Sequence, residues 1–524
     1  MLKILPLLCL LSFGALAQPT NTNISNGVLF DGEPFIAQNP TNPQNLVAAW
    51  MGLKLSGGQF LIAIKTRASF DGGSTWSVAN SLPHYASGYG CADVSMGFAA
   101  TGLLYISYID SHQVPQDSGG IFVARSHDGG LSWDTPTKAF DVTNDPGKFP
   151  LDRPWIAVDH STPANAGILY ITSKPAPWIP APNRNYYKVS TDSGHTWSPI
   201  AHVDGPNYLV GNFIQAPMAA PAVTLKGNFC AIYPSYVTTQ NILPTFYLAT
   251  SRNHGQSFSY NLVIAATPAP NDTNLKNGYV LITSPIDSNK MAFFDPQAIH
   301  GDDDIFALHS NDAGQTWSGL VRVNDDTVGN GKHQDLVWAA YNEQGNIACT
   351  WRDRRNSAAS GFWNAGYDFY YATSADNGQT FSPNQKLSSQ FIAFDSLIAQ
   401  NGNDFMSCVY HADTLYTVWG DTRSGKMNIY FSKTVASTNA TVVISLLNGD
   451  AGAWEVFPNP AQGQIHISAR PYCLQQLLSI YDIHGRKVFS ALMQNTTMNI
   501  NTASFAKGIY FIKIGSEVKR VVVE

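Results

Sequence analysis

The chain has 524 residues and a formal net charge of −6, with 13% charged and 12% aromatic residues, 42 Gly and 30 Pro. Since an average soluble protein has about 25% charged residues, this composition disfavours long solvated helices and is typical of many short strands joined by turns. The negative charge, without basic runs, argues against a nucleic-acid partner. Only five of the 37 acidic residues are Glu, which restricts any mechanism that needs a glutamate.

The N-terminus has the pattern of a secretory signal peptide. Lys3 precedes an apolar run from Ile4 to Leu16, and Ala15-Leu16-Ala17 forms a small-x-small cleavage site. The run is too short to span the ~30 Å hydrocarbon core of a membrane, and no later segment reaches ~18 uninterrupted apolar residues. The sequence therefore predicts cleavage of residues 1–17 and no transmembrane segment.

The cysteines show no ligand spacing. Cys9 lies in the predicted signal peptide, and the other five are scattered without a C-x-x-C pair: Cys91, Cys230, Cys349, Cys408 and Cys473. Such a pattern favours small buried hydrophobic residues in strands over a zinc site or a disulfide framework. Asp302-Asp303-Asp304 could bind a hard cation, but a solvated turn is the preferred interpretation. We therefore expect no metal and no cofactor.

The body of the chain is a repeat. Six windows share the form S-x-D-x-G-x-[ST]-[WF], and their starts lie 57 to 64 residues apart. The third position of each window is occupied by Asp71, Asp128, Asp192, Asn253, Asp312 and Asp376. In such a turn the Asp accepts backbone N–H bonds, the Gly takes a positive φ, and the aromatic ring packs between sheets. The windows resemble the Asp-box (BNR) repeat, for which a structural role is expected.

Each unit of about 60 residues reads as four short strands, with the turn between the third and the fourth. This predicts an all-β fold, a β-propeller over residues 25–435. A seventh unit without the turn follows at 404–432, so seven blades are favoured and six remain possible. We expect the segment near Gly27–Phe30 to supply the strand that the last unit lacks. Sialidases, which the repeats resemble, have six blades, so the count is a departure from them.

The C-terminal residues 454–524 form a separate all-β module, predicted as a small sandwich after a linker at 436–453. The module resembles the C-terminal sorting domain of the type IX secretion system of Bacteroidetes-like bacteria. The resemblance rests on F-P-N-P (Phe457–Pro460), I-Y-D-I-H-G-R-K-V (Ile480–Val488) and K-G-I-Y-F-I-K-I (Lys507–Ile514). It implies a secreted or outer-membrane-attached protein that contacts the secretion machinery.

Functional residues are expected at the edge opposite the repeat turns, here called the top. First strands begin there with a recurrent polar residue: Glu33, Asp93, Asp152, Gln215, Asp335 and Asp404. Second strands end there, twice with W-x-D-x-R (351–355 and 419–423). The candidates for ligand binding are Asp93, Asp152, Arg153, Asp335, Asp353, Arg355, Asp404, Asp421 and Arg423. The alternative for each Asp is a strand cap or an ion pair with the Arg two residues on.

The sialidase resemblance does not extend to catalytic residues. That family uses an arginine triad, an Asp acid/base and a Tyr–Glu pair, with the first arginine in an R-I-P motif before the first repeat. Residues 37–66 contain no such motif, and the body has only Glu33 and Glu343. The preferred hypothesis is therefore a secreted propeller that binds glycan or protein ligands at its top. The alternative is an exo-sialidase-like glycoside hydrolase with a rearranged Asp/Arg site.

Overall fold

The computed structural model describes residues 20–27, 29–56, 58–212, 214, 217–235, 245–265, 278–358, 365–393, 403–436, 454–469, 476–483, 486–514 and 517–524. The predicted signal peptide, Gln215, Cys473 and most of the predicted linker lie outside these ranges. The chain divides into two compact units, Met1–Ala440 and Thr441–Glu524. Each unit is described by itself.

Seven four-stranded sheets make up the described part of the first unit. The strands are β1 (Asn21–Asn23), β2 (Asp31–Asn39), β3 (Asn42–Ser56), β4 (Gln59–Ser69), β5 (Asn80–Ser81), β6 (Tyr89–Phe98), β7 (Leu104–His112), β8 (Gly119–Ser126), β9 (Thr137–Asp141), β10 (Leu151–Val158), β11 (Leu169–Pro175), β12 (Tyr186–Ser190), β13 (Ala201–His202), β14 (Ala220–Val223), β15 (Phe229–Ser235), β16 (Thr245–Ser251), β17 (Ser259–Ala265), β18 (Val280–Thr283), β19 (Met291–Gln297), β20 (Asp304–Ser310), β21 (Val321–Arg322), β22 (Gln334–Tyr341), β23 (Ile347–Asp353), β24 (Asp368–Ser374), β25 (Gln385–Lys386), β26 (Ser407–His411), β27 (Thr414–Asp421) and β28 (Asn428–Val435). Blades 1 to 6 each contain four consecutive strands, from β2–β5 to β22–β25. Among the described residues the one helical element is a 3-10 turn, Pro163–Asn165, which is far too short to cross a membrane.

The ring closes through the N-terminal strand. Blade 7 has the order β1-β28-β27-β26, so β1 is its outer strand. Thr22 pairs with Phe431, and the Asn23 amide donates to Asn428 Oδ1 at 2.7 Å. The prediction of seven blades is confirmed. The predicted closing segment is wrong, because the strand lies at Asn21–Asn23 and Phe30 forms only an isolated bridge with Met427.

The hydrophobic core lies between neighbouring blades rather than at one centre. Each adjacent pair of sheets shares a cluster of buried residues, and one such cluster joins Leu46 and Trp50 of blade 1 to Val418 and Phe431 of blade 7. Since both faces of each sheet are covered in this way, the strands are apolar on both sides. The first strands of neighbouring blades contact one another, and the residues where they begin form the candidate site.

The repeat turns connect the third strand to the fourth in blades 1 to 6, as predicted. In blade 3, Asp192 accepts the backbone N–H and the hydroxyl of Thr196 at 2.8 and 2.6 Å, and the Ser190 hydroxyl at 2.8 Å. Asn253 uses its carbonyl in the same way, accepting Ser257 N–H at 3.0 Å. These bonds lie within the turn itself, so the motif stabilises its own conformation.

Loss of one repeat-turn carboxylate should weaken the propeller modestly. Burial alone would raise the pKa of Asp192, but the hydrogen bonds from Thr196 outweigh it and lower this pKa to about 2. Because the folded-state pKa is depressed, the stabilisation is present above pH ~4 and is lost as the pH falls toward 2. We expect Asp192→Ala to lower the free energy of unfolding by about 1 kcal/mol at pH 7. Asp192→Asn gives blade 3 the residue type that blade 4 has at Asn253, and it should lower the free energy of unfolding by less. Urea unfolding at pH 7 and pH 3 should show a smaller loss of stability at low pH in this variant than in the wild type. An equal loss in both proteins would show that the Asp192 carboxylate is not the source of the pH dependence.

The second unit is a β-sandwich, as predicted. Its strands are β29 (Trp454–Phe457), β30 (Gln464–Ala469), β31 (Leu477–Asp482), β32 (Lys487–Leu492), β33 (Thr497–Asn501), β34 (Gly508–Ile514) and β35 (Glu517–Val523). They form two sheets, β29-β30-β33 and β32-β31-β34-β35. Trp454, Ile465 and Ile467 of the first sheet share one buried cluster with Leu478 and Ile512 of the second.

Candidate functional site

Side chains from four blades form one connected polar network at the top of the propeller. We call it the mouth network, and it consists of Glu33, Asp93, Asp152, Arg153, Lys174 and Asp404. Arg153 lies 3.4 Å from Asp404 through Nη2 and Oδ2, and its backbone N–H donates to Asp93 Oδ2 at 2.7 Å. Lys174 pairs with Asp152 directly across β10 and β11. Of the nine predicted ligand-binding residues, four therefore meet here.

A repeated β-bulge aims these side chains into the mouth. Glu33, Asp93 and Arg153 have φ values of 53°, 42° and 57°, and a register shift occurs beside each of them. Leu336 in blade 6 has the same conformation, with φ of 52°, but carries an apolar side chain. A bulge re-aims a side chain, and left-handed backbone in non-glycine residues costs about 1–3 kcal/mol and is concentrated at functional sites. The polar character of three of the four positions thus points to the mouth as a site.

Burial and the charges of neighbouring residues give the acidic residues of the network different pKa values. Glu33 and Asp93 are 3% and 6% exposed, whereas the Asp152 and Asp404 side chains are 21% and 29% exposed. Burial raises the pKa of Glu33 well above its usual value, and the charges of Asp93 and Asp404 add to this. Burial and the charge of Asp152 raise the pKa of Asp93 to about 7.

Asp152 behaves in the opposite way. Burial acts against ionisation, but the charge of Lys174 and a hydrogen bond from Asp93 hold the pKa of Asp152 below its usual value. Protonated Glu33 can then donate to Asp93, and protonated Asp93 to Asp152. The network therefore places two carboxyl groups with raised pKa values, Glu33 and Asp93, beside one with a lowered pKa, Asp152.

Aromatic side chains lie next to the mouth network. The Arg153 guanidinium lies 5.3 Å from the centre of the Phe405 ring, and the Trp155 and Phe405 ring centres are 4.9 Å apart. A cavity of about 190 Å³ is lined by Phe35 and Trp338 together with Trp155 and other first-strand residues. This volume is below the roughly 300–1,000 Å³ of pockets for drug-sized ligands. The cavity can accommodate only a small group.

Asp335 forms a buried ion pair with Arg352 and Arg354, and we do not include it in the mouth network. Its two oxygens accept a two-pronged hydrogen bond from Arg352, with Nε to Oδ1 at 2.6 Å. Arg354 adds contacts of 3.3 and 3.4 Å, and all three side chains are at most 3% exposed. Despite burial, the two arginine charges lower the pKa of Asp335. This pairing favours the ion-pair alternative for Asp335, and its assignment to ligand binding stays a prediction.

The two W-x-D-x-R segments form the ion pairs that were the alternative interpretation. Asp353 accepts Trp351 Nε1–H at 2.8 Å and the Arg355 backbone N–H at 2.8 Å, and the Arg355 guanidinium lies 4.3 Å from the centre of the Tyr370 ring. The second segment repeats this geometry with Trp419, Asp421, Arg423 and Tyr430. Each carboxylate is buried and engaged by its own segment, which favours the ion-pair alternative for Asp353, Arg355, Asp421 and Arg423; their assignment to ligand binding stays a prediction.

The Asp302–Asp304 segment is also not the solvated turn that the sequence suggested. All three residues are at most 1% exposed. Asp302 accepts the Gly331 N–H at 2.7 Å, Asp303 lies 2.9 Å from His333 Nδ1, and Asp304 accepts a 2.6 Å bond from Arg322. These partners come from the segment 322–333, which covers the acids.

Sequence reasoning left Glu33 and Lys174 out of the candidate set. Glu33 was recognisable as a polar residue at the start of a first strand, and Glu33-Pro34-Phe35 matches Arg153-Pro154-Trp155 in pattern. Lys174 carries no motif, since its position opposite Asp152 follows only from strand register.

The comparisons with known proteins identify the C-terminal module and describe similar folds. Residues 455–524 match the family described as the secretion system C-terminal sorting domain. No curated protein matches the chain significantly. Among solved structures it is similar to a Hadza microbial sialidase (12% identity, TM-score 0.41, covering 79% of this chain and 68% of that chain). It is also similar to a GH93 alpha-L-arabinofuranosidase of Fusarium graminearum (13% identity, TM-score 0.43, 79% and 97% covered) and to a protein of unknown function from Dyadobacter fermentans (12% identity, TM-score 0.40, 79% and 98% covered).

The fold and the repeat define a seven-bladed β-propeller with a C-terminal β-sandwich. The sandwich is a type IX secretion sorting domain, so the predicted resemblance is confirmed and the protein is secreted or attached to the cell surface.

Proposed function

We propose that the propeller binds a neutral glycan at its top, through Arg153, Asp152 and Asp404. The observation that carries this proposal is the convergence of charged side chains from different blades on one mouth, with strained, left-handed backbone at Arg153. Carboxylate oxygens accept hydrogen bonds from sugar hydroxyls, and the guanidinium donates to ring or hydroxyl oxygens.

The charge balance of the mouth favours a neutral over an anionic sugar. Arg153 is the arginine that pairs with Asp404, at 3.4 Å. The buried Arg352 also interacts electrostatically with Asp404, but its guanidinium is already bonded to Asp335. Asp152 is balanced in the same way by Lys174. A sugar carboxylate would have to approach the side-chain oxygens of Asp152 and Asp404, and like charges at close range repel. Hydroxyl groups meet no such barrier.

A second function, glycoside hydrolysis, is favoured by one specific observation. Glu33 and Asp152 belong to the same network, and their pKa values are displaced in opposite directions. Glycosidases commonly use one carboxylic acid as proton donor and one carboxylate as base or nucleophile. In this arrangement Glu33 would be the source of the proton, and Asp152 would be the carboxylate that acts as base or nucleophile.

The test is binding and turnover by the full chain and by the Asp152→Asn variant. We expect the wild-type protein to bind neutral glycans on a glycan array and to bind sialylated glycans weakly. Release of fluorophore from a panel of neutral glycosides, lost in Asp152→Asn, would establish hydrolysis as well. Asp413→Asn, at an exposed turn between β26 and β27, is the control and should behave as the wild type. The proposal is overturned if the wild-type chain binds no glycan on the array and cleaves no glycoside of the panel.

A further inference from the structure

Three side chains of different chemistry meet at the top edge of blade 2, outside the mouth network. His84 lies in the segment between β5 and β6, Cys91 is the third residue of β6, and Asp110 lies near the end of β7. Cys91 and Asp110 are directly paired residues of the two strands. Strand pairing and the inter-blade connection therefore bring together a nitrogen, a sulfur and an oxygen donor.

The distances between the donor atoms match those around a tetrahedral metal ion. His84 Nδ1 lies 2.9 Å from Asp110 Oδ1 and 3.6 Å from Cys91 Sγ, and Sγ lies 3.4 Å from Oδ1. Zinc binds sulfur at about 2.3 Å and nitrogen or oxygen at about 2.0–2.2 Å, which places tetrahedral donors about 3.3–3.6 Å apart. Only the nitrogen–oxygen separation is shorter than this, by a few tenths of an ångström.

The surroundings of Asp110 support a cation at this point. The residue is fully buried, and among the described residues its ionic partner is His84 alone. Buried carboxylates are normally paired with a cation or coordinate a metal. The second oxygen, Oδ2, accepts the backbone N–H of Tyr85 at 2.6 Å. This bond orients the carboxylate, as outer hydrogen bonds do for metal ligands.

We propose that His84, Cys91 and Asp110 form a binding site for a divalent zinc-class ion. The mixed nitrogen, sulfur and oxygen set suits zinc better than calcium or magnesium, which take oxygen ligands. Three protein ligands leave a fourth tetrahedral position for water or another small ligand. The ion ties the connection at residues 82–88 to β6 and β7 at the rim of the propeller. The proposal departs from the expectation of no metal, which rested on the absence of a spacing motif.

The test is titration of the chelator-stripped full chain with zinc alone, read by competition with a chromophoric chelator. We expect one high-affinity ion per chain and a higher melting temperature with zinc. Cobalt in place of zinc should give a thiolate-to-metal charge-transfer band, which reports the sulfur ligand directly. Cys91→Ser and His84→Gln should each weaken binding at least tenfold and abolish or weaken the cobalt band.

The matched control is Cys230→Ser, because Cys230 is another fully buried free cysteine, in blade 4. This variant should bind zinc like the wild type. The proposal is overturned if the wild-type chain binds no zinc, or if both Cys91→Ser and His84→Gln bind it as tightly as the wild type. His84→Gln leaves the thiol intact, so it keeps the test decisive if Cys91→Ser does not fold.

Discussion

Replacing Asp335 by alanine should destabilise the propeller by about 3–5 kcal/mol, the range for removing one partner of a buried ion pair. The variant leaves the guanidinium groups of Arg352 and Arg354 without their carboxylate in a site that is at most 3% exposed. Removing the carboxylate takes away the negative charge that offsets the desolvation of both guanidinium groups, and this is costly. Urea unfolding monitored by tryptophan fluorescence measures the loss.

The control for this prediction is Asp325→Ala. Asp325 also pairs with an arginine, Arg355, at 2.6 Å, but its side chain is 47% exposed. Exposed ion pairs contribute about 0–1 kcal/mol, so this variant should be nearly as stable as the wild type. If Asp335→Ala were equally stable but lost ligand binding, Asp335 would belong to the functional site after all.

Much of the fold could be predicted from local chemistry. Each repeat turn contains its own hydrogen bonds, as Asp192 and Thr196 show, so its sequence reveals it without knowledge of the rest of the chain. The count of blades followed from even spacing. The closing strand could not be predicted in the same way, because β1 has three residues and is defined by its pairing with β28. Its partner lies about 400 residues away in the sequence.

The residues of the candidate site also differ in how far the sequence alone could predict them. Asp93, Asp152, Arg153 and Asp404 could be predicted because all lie where first strands begin, a position that the repeat fixes. At the ends of second strands, Asp353 and Arg355 have the same residue types but form hydrogen bonds with each other. Residue type and edge position do not reveal whether a charge is already paired. Lys174, His84, Cys91 and Asp110 depend on cross-strand or inter-blade contacts that no sequence spacing records.

Replacing Arg153 by methionine should weaken glycan binding about 10- to 100-fold, because hydrogen bonds to charged groups contribute about 1.5–3 kcal/mol and 1.4 kcal/mol corresponds to a factor of ten. Methionine retains an unbranched apolar chain for packing near Phe405 but removes the donor fork. Asp152 keeps its partner Lys174, and Asp404 is 29% exposed. The fold should therefore tolerate the change. The probe is the neutral glycan that the wild-type protein binds most strongly on the array, titrated by calorimetry.

Arg355→Met is the matched control, since both arginines pair with an Asp and lie over an aromatic ring, 5.3 Å from the ring centre in Arg153 and 4.3 Å in Arg355. Arg355 bonds to Asp353, Asp325 and Asn384 and has no role in the mouth network. Its loss should lower the melting temperature and leave the glycan dissociation constant unchanged. Arg153→Lys separates charge from geometry: it should recover part of the affinity if the positive charge matters, and none if only the planar fork does. Equal affinity in Arg153→Met and the wild type would remove Arg153 from the binding site and leave the mouth network a structural ion cluster.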